Sequence, residues 1–318
     1  MTDGPASRNR SIVLDEADRA RLAPLLEAAR AAGLSPGAEA LGADGALILG
    51  DSLTVMPRLP AACADLLVAD PPYNMDKDFG SVKGRRMGEA DYEAYTLSWL
   101  RAALPLLKRD ASVYVCCDWR CSRSVEGALL AAGLAIRNRI TWEREKGRAS
   151  DRNWKGAHED IWFATVSEAY RFDAGAVRQR RLVRAPYRGA DGGPKDWDEG
   201  PEGRYRDTAA SNLWTDLCVP FWSMSENTSH PTQKPEKLVA KLLLASTGPG
   251  DLVLDPFLGS GTTAVVAKKL GRRCVGIELD AEHLLAALRR LELAEDEPRI
   301  QGYEDGVFWE RNSAPRRG

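Results

Sequence analysis

The 318-residue chain is short of several things, and each shortage removes a class of explanation. Its six cysteines (Cys63, Cys116, Cys117, Cys121, Cys218 and Cys274) offer one C-x3-C and no second half. A tetrahedral zinc framework needs two halves, so strand thiols are expected and no metal site. So low a cysteine density suits a reducing cytoplasm. Surplus basic charge is missing too. Against 46 Asp+Glu stand 44 Lys+Arg, a net charge of -2, so no global field draws in a polyanion. Contact with nucleic acid would have to come from local clusters. No apolar run reaches membrane-spanning length, and the opening "MTDGPASRNR" lacks the apolar core of a signal peptide, so no membrane partner is expected. Neither G-x-G-x-x-G nor the phosphate-loop pattern with its lysine occurs.

What is present is ordinary for a globular chain, 44% hydrophobic and 28% charged. Residues 1–43 read as an extension with one amphipathic helix, a packing or dimer element. From residue 44, short apolar runs alternate with helical spacing. "GALILGDSL", "DLLVADPPY", "SVYVCCDW", "RNRITWERE" and "HEDIWFATV" read as strands, and "DYEAYTLSWLRAALPLLKR" and "SRSVEGALLAAGLA" as helices. The alternation resumes after residue 226 with "HPTQKPEKLVAKLLLAST", "DLVLDPFLGSGTTAVVAKKLG" and "RCVGIELDAEHLLAALRRLELAE". Such alternation predicts an α/β fold with a doubly wound, mostly parallel sheet. Between the halves, 170–225 loses all periodicity and is rich in Arg, Gly, Pro, Asp and Trp; a long irregular stretch is usually functional or disordered. The expected organisation is an extension over 1–43, halves over 44–169 and 226–295 flanking the irregular 170–225, and a polar, irregular tail over 296–318.

Two strand ends carry chemistry. "LLVADPPYNMD" ends an apolar strand in Asp70, Pro71, Pro72 and Tyr73. A proline pair is common in loops, but here it fixes the backbone beside a carboxylate and a ring. "LVLDPFLGSGTT" ends a second strand at Asp255 and turns on Gly259 and Gly261, which let backbone approach a ligand closely. Thr262 and Thr263 are placed to cap the next helix. No basic residue sits in the turn, which favours a nucleoside without a polyphosphate. Glu278 ends the following strand, where an acid commonly accepts from ribose hydroxyls.

Together, "DPPY" and "FLGSG" resemble the motif pair of S-adenosylmethionine-dependent DNA amino-methyltransferases. The resemblance runs from about Gly45 to about Leu293. With the catalytic motif first and "HPTQKP" just before the binding strand, the order is similar to the permuted β class. The resemblance implies a class I methyltransferase-like fold in which both strand ends share one pocket. It further implies S-adenosylmethionine as cofactor, Asp255, Phe257, Gly259, Ser260, Gly261, Thr262 and Thr263 around its methionine end, and Glu278 on the ribose. Asp51 then lies near the adenine, and His230, Thr232, Gln233 and Lys234 close over the cofactor beside Asp70. Many such enzymes are dimers, and some act beside a separate restriction endonuclease.

The chemistry of an exocyclic amine gives "DPPY" its purpose. The lone pair of that amine is delocalised into the ring, so a methylating site needs acceptors for its hydrogens. Asp70 supplies a carboxylate, Pro71 a stiffly directed carbonyl, and Tyr73 a face for a base flipped out of double-stranded DNA. The resemblance, in whose family "DPPY" usually goes with adenine, implies adenine N6 as the target, with cytosine N4 as the alternative; a nucleotide-dependent oxidoreductase and a non-catalytic DNA-binding module are more remote. Candidate phosphate contacts are Lys77, Lys83, Arg85 and Arg86 after the motif, Arg148 in "REKGRASDRNWKG", and Arg178, Arg180, Arg181, Arg184 and Arg188 in the irregular stretch, which is the expected target-recognition region.

Overall fold

Each short apolar run forms a strand that stops at its first turn residue. The computed structural model describes residues 9–34, 45–79, 82–84, 86–144, 151–183, 187–190, 192–193, 195–200 and 203–310. In chain order the elements are α1 (Glu16–Leu34), β1 (Gly45–Leu49), α2 (Ser52–Val55), β2 (Ala64–Ala69), β3 (Lys77–Phe79), β4 (Val82–Gly84), α3 (Glu89–Ala103), β5 (Leu107–Asp118), α4 (Ser122–Ala131), β6 (Ala135–Glu143) and β7 (His158–Thr165). There follow β8 (Gln179–Leu182), β9 (Asp198–Gly200), β10 (Gly203–Thr208), β11 (Leu213–Trp214), α5 (Glu236–Ser246), β12 (Leu252–Asp255), α6 (Thr262–Lys269), β13 (Arg273–Glu278), α7 (Ala281–Asp296), β14 (Tyr303–Glu304) and β15 (Val307–Trp309).

Eight strands form the central sheet in the order β1-β13-β12-β2-β5-β7-β6-β11. Its pairs are parallel except where β7 meets β5 and β6, so β7 alone runs against the rest. Side chains alternate along β2. Leu66 and Val68 enter a core with Leu238 of α5, Val266 of α6 and Leu284 of α7, while Leu67 and Ala69 enter a second core with Trp99 of α3 and Val125 of α4. Both faces are covered, which is why these strands read as continuous apolar runs. Chain order reverses direction between β12 and β2. The carboxyl ends at such a switch point open a crevice for ligands.

The extension packs on its own chain. Helix α1 buries Leu22 and Ala29 against β1 and α7, and its Arg19 pairs with Glu282 at 2.6 Å. Near its end a Cβ on Gly33 would lie 2.1 Å from the Leu49 carbonyl oxygen, so only glycine permits this approach. Ahead of α1, Ile12 bridges Thr228.

The tail and the irregular stretch depart from expectation, because they build a second sheet together, in the order β14-β15-β8-β10-β9. Strand β15 pairs in parallel with β8, matching Phe308 to Gln179. Phe308 is fully buried in the main core. Buried Lys237 of α5 donates to the Trp309 carbonyl, which fastens the tail to the central domain.

Candidate active site

Four neighbouring parallel strands each deliver a carboxylate to the same edge of the sheet. In spatial order these are Asp51 after β1, Glu278 ending β13, Asp255 ending β12 and Asp70 after β2. They line one cavity of about 330 Å³. Asp118 at the end of β5 and Glu159 of β7, which face each other in register, continue the row.

The corner at Asp70 is tightly tied. The Tyr73 hydroxyl lies 2.9 Å from Asp70 Oδ1, and the Lys234 ammonium donates to Asp70 Oδ2 at 2.6 Å. Tyr92 of α3 donates its hydroxyl to the Pro72 carbonyl at 3.1 Å, which holds the proline pair in place. Asn74 grips Met87 through both amide atoms, at 3.0 and 2.7 Å. Glu159 lies behind Tyr73, with Oε2 3.0 Å from the hydroxyl, while Arg144 binds its other oxygen.

Another wall is the Gly-rich turn. Gly259 and Gly261 take positive φ, 56° and 82°. A Cβ on Gly261 would stand 2.5 Å from the Ala287 Cβ, so the turn can sit this close to α7 only with glycine there. Gly261 backs the wall, while Phe257, Gly259, Ser260, Thr262 and Thr263 line it. Glu278 accepts from the backbone N–H of Gly259 at 2.7 Å and of Asp280 at 2.8 Å. Asp51 caps α2, accepting from Leu53 N at 2.8 Å. The threonines do not cap α6, contrary to expectation: Thr262 donates to the Lys234 carbonyl at 3.1 Å, and the Thr263 hydroxyl serves Asp255.

The segment 226–235 forms the third wall. Gln233 fixes it by accepting from Thr228 N at 2.9 Å and donating to the Glu226 carbonyl at 2.6 Å. His230 stacks edge-on against His283, with ring centroids 4.4 Å apart, above Gly259. Glu278 hydrogen-bonds His283 and pushes its pKa up.

Electrostatics give the cavity its preference. Seven carboxylates line it (the six of the row and Asp280) against two cations, Arg144 and Lys234. Asp255 is the extreme case. Burial, with Asp70 and Glu278 nearby, pushes its pKa up to about 7, against the pull of Thr263 and the Phe257 N–H. A buried acid so destabilised as an anion fits a ligand that brings a positive charge and no phosphate.

Residues 64–289 match the family model described as DNA methylase, N6_N4_Mtase. The chain belongs to this family of S-adenosylmethionine-dependent DNA methyltransferases, which act on adenine N6 or cytosine N4. Among curated proteins it is 32% identical over 263 residues to the DNA adenine methyltransferase YhdJ of Escherichia coli, covering 78% of this chain and 83% of that one. It is also 32% identical to the type II methyltransferase M1.MboII of Moraxella bovis, covering 72% of this chain and 90% of that one. Two solved structures share the fold. One is the PvuII cytosine-N4-specific DNA methyltransferase, at TM-score 0.57 and 21% identity over 85% of this chain and 96% of that one. The other is the complex of M1.HpyAVI with S-adenosylmethionine, at 0.53 and 23% over 77% and 98%.

The cavity gathers the expected catalytic and cofactor residues, Gly261 excepted, and Lys234 reaches the Asp70 corner, 9% exposed at its side chain. Glu159, Arg144, Trp99 and His283 were not anticipated as lining. Their sequence signal is weak, since Trp99 reads as a core helix residue and His283 as structural.

The expected phosphate contacts fare unevenly. Arg180 makes two 2.7 Å bonds to Asp207 and faces the rings of Tyr205 and Trp309, so its charge is matched inside the second sheet. Arg178 donates to the Asp207 carbonyl, Arg181 to Gln179, and Arg188 to the Gly192 carbonyl. Arg86 is exposed beside the Asn74 loop. Arg85, Arg148 and Arg184 lie outside the described residues; of Lys77 and Lys83 only the backbone is described, in β3 and β4. Trp154 is 93% exposed in the segment between the two cavity residues Arg144 and Glu159. Among the described residues, no group of His, Cys, Asp and Glu could hold a metal and no helix is long and apolar enough to cross a membrane.

Proposed function

We propose that the protein methylates N6 of an adenine flipped out of double-stranded DNA at a specific sequence. One observation carries this reading: the Asp70–Tyr73 corner and the Gly-rich turn line one acid-rich cavity. S-adenosylmethionine supplies an electrophilic methyl group on a sulfonium. Asp255 would meet its ammonium group, Glu278 the ribose and Asp51 the region of the adenine, with Phe257 and the backbone of Gly259 and Ser260 along its length. His230 and Thr232 would cover it.

On the substrate side, Asp70 and the Pro71 carbonyl accept the two amino hydrogens. That grip turns the nitrogen lone pair toward the methyl group. S-adenosylmethionine would give up the methyl group by cleavage of its S–C bond and leave as a neutral thioether; the nitrogen that gains the methyl would then be acidic, and Asp70 would accept the proton it releases. Tyr73 offers its ring to the extruded base, whose unstacking costs a few kcal/mol. Positioning supplies much of the rate. Exposed Arg86 and Trp154 border the cavity in sequence and suit phosphate and base contacts, with the second sheet reading the target. Adenine is favoured by Asp70 and by the relative named for adenine. The type II name of M1.MboII further supports a separately acting restriction endonuclease.

The test is methyl transfer from labelled S-adenosylmethionine to unmethylated genomic DNA, with nucleosides resolved by mass spectrometry. N6-methyladenine is expected. N4-methylcytosine would overturn the choice of base and leave the mechanism standing.

A further inference from the structure

Asp70 is not free to do what the reaction asks of it. Its Oδ1 lies 2.9 Å from the Tyr73 hydroxyl, and its Oδ2 accepts from the Lys234 ammonium at 2.6 Å. A target amino group needs at least one of these oxygens. Whichever donor leaves must find another acceptor, because Lys234 is only 8% exposed and its ammonium has little water to turn to. A buried cation stripped of its partner is strongly destabilised.

One acceptor stands within reach of both donors. Glu159 Oε2 is 3.0 Å from the Tyr73 hydroxyl and 3.5 Å from Lys234 Nζ. Glu159 is 3% exposed. Its other oxygen is anchored by Arg144, so it cannot swing away. It sits on β7 opposite Asp118, at the same sheet edge as Asp70. We propose that Glu159 is a positioning residue for methyl transfer, receiving the Lys234 ammonium when Asp70 takes up the target amino group.

The movement required is small. Closing 3.5 Å to the roughly 2.8 Å of a charge-assisted bond needs only a rotation of the lysine end. The charges balance before and after, with Arg144 and Lys234 against Asp70 and Glu159. Burial opposes the charge on Lys234, but the carboxylates of Asp70 and Glu159 outweigh it and raise its pKa, so the group that moves is an ammonium. In the resting enzyme the lysine suppresses repulsion between the two acids. In the loaded enzyme it does so from the other side.

This inference rests on the reading of Asp70 as the acceptor of the target amine. Its test is a double-mutant cycle on single-turnover methyl transfer at saturating cofactor and DNA, in Glu159→Gln, Lys234→Met and the double variant. Glu159→Gln is expected to slow transfer about tenfold to a hundredfold, the scale of one charge-assisted bond, with cofactor Kd within twofold of wild type. Glu159→Asp recovers part of the rate. The loss disappears in the Lys234→Met background, because no ammonium then needs a second acceptor. A Glu159→Gln rate within twofold of wild type overturns the proposal. So do losses that multiply in the double variant, which would leave Glu159 as a prop for Tyr73 alone. If Glu159→Gln fails to fold, Glu159→Asp in the same cycle decides between the same two outcomes from a smaller loss. Should Asp70→Asn keep wild-type rate, the reading of Asp70 fails instead, whatever the cycle returns.

Discussion

If Asp255 meets the cofactor's ammonium group as proposed, cofactor binding is a proton-linked event, and the link has a definite sign. Its carboxyl is raised from the ordinary 3.8 to about 7, chiefly by burial. A ligand ammonium at Asp255 favours the anion, so binding expels the proton that the free enzyme holds below pH 7. Affinity then falls tenfold for each pH unit below about 7 and levels off above it. The upper end of the window is limited by the cofactor itself, whose α-amine titrates near the roughly 7.7–8.0 of an ordinary α-amino group. Between pH 5.5 and 7.0 the affinity should therefore change by roughly tenfold or more. Calorimetry at pH 6.5 in buffers of differing ionisation enthalpy should register release of most of one proton. Asp255→Asn should flatten the profile, weakening binding at pH 7 and leaving it near wild type at pH 5.5. Stability of the free enzyme runs the other way. The folded state holds a proton that the unfolded chain releases above 3.8, so this group's contribution to Tm falls as pH rises from 3.8 to about 7 and then levels. A cofactor Kd constant from pH 5.5 to 7.0, with the fold intact, would refute the assignment of Asp255 to the ammonium.

Asp70→Ala should abolish methyl transfer while cofactor affinity, measured by calorimetry, stays within a few-fold of wild type. Gly261→Ala forces a side chain to 2.5 Å from Ala287 at a φ of 82°. It should destabilise the fold by about 1–3 kcal/mol in chemical denaturation and weaken cofactor binding, because the turn must move. Trp154→Ala removes a ring that is 93% exposed. It should raise KM for DNA about tenfold, the scale of one base–aromatic stack, and leave cofactor Kd unchanged. Phe308→Ala empties a fully buried tail position and should cost about 3–5 kcal/mol, read from the urea midpoint; an unchanged midpoint would detach the tail from the core.

What was legible in the sequence and what was not follows from strand direction. In a parallel sheet every strand arrives at the ligand edge with its carboxyl end, so a reader who marks the acid after each apolar run finds Asp51, Asp70, Asp255 and Glu278 without a structure. Glu159 escapes that rule because β7 runs antiparallel. Its amino end, not its carboxyl end, meets the cavity, and the acid precedes the apolar run in "HEDIWFAT". The second sheet was hidden for a different reason. "QRRL", "DEG" and "GRYRDT" carry no apolar alternation, and their pairing is stabilised by Arg180 on Asp207 and by rings stacked under guanidinium groups. The strands of the tail are two and three residues long, too short for any period, and only the burial of Val307–Trp309 beside Lys237 marks them.

The same geometry explains why an acid row can be tolerated. Six carboxylates on adjacent strands would repel one another in an enclosed cavity, and the fold meets this unevenly. At the Asp70 end the resident cations Lys234 and Arg144 neutralise Asp70 and Glu159. In the middle Asp255 is buried, held by the Thr263 hydroxyl and the Phe257 N–H, and its pKa rises. At the far end Glu278 and Asp51 are held by backbone N–H groups of the Gly-rich turn, Asp280 and the first turn of α2. The carboxylate whose pKa rises thus sits in the middle of the row. On the proposed reading a cationic methyl donor would be attracted there, next to a corner whose own charge is already balanced by Lys234 and Arg144.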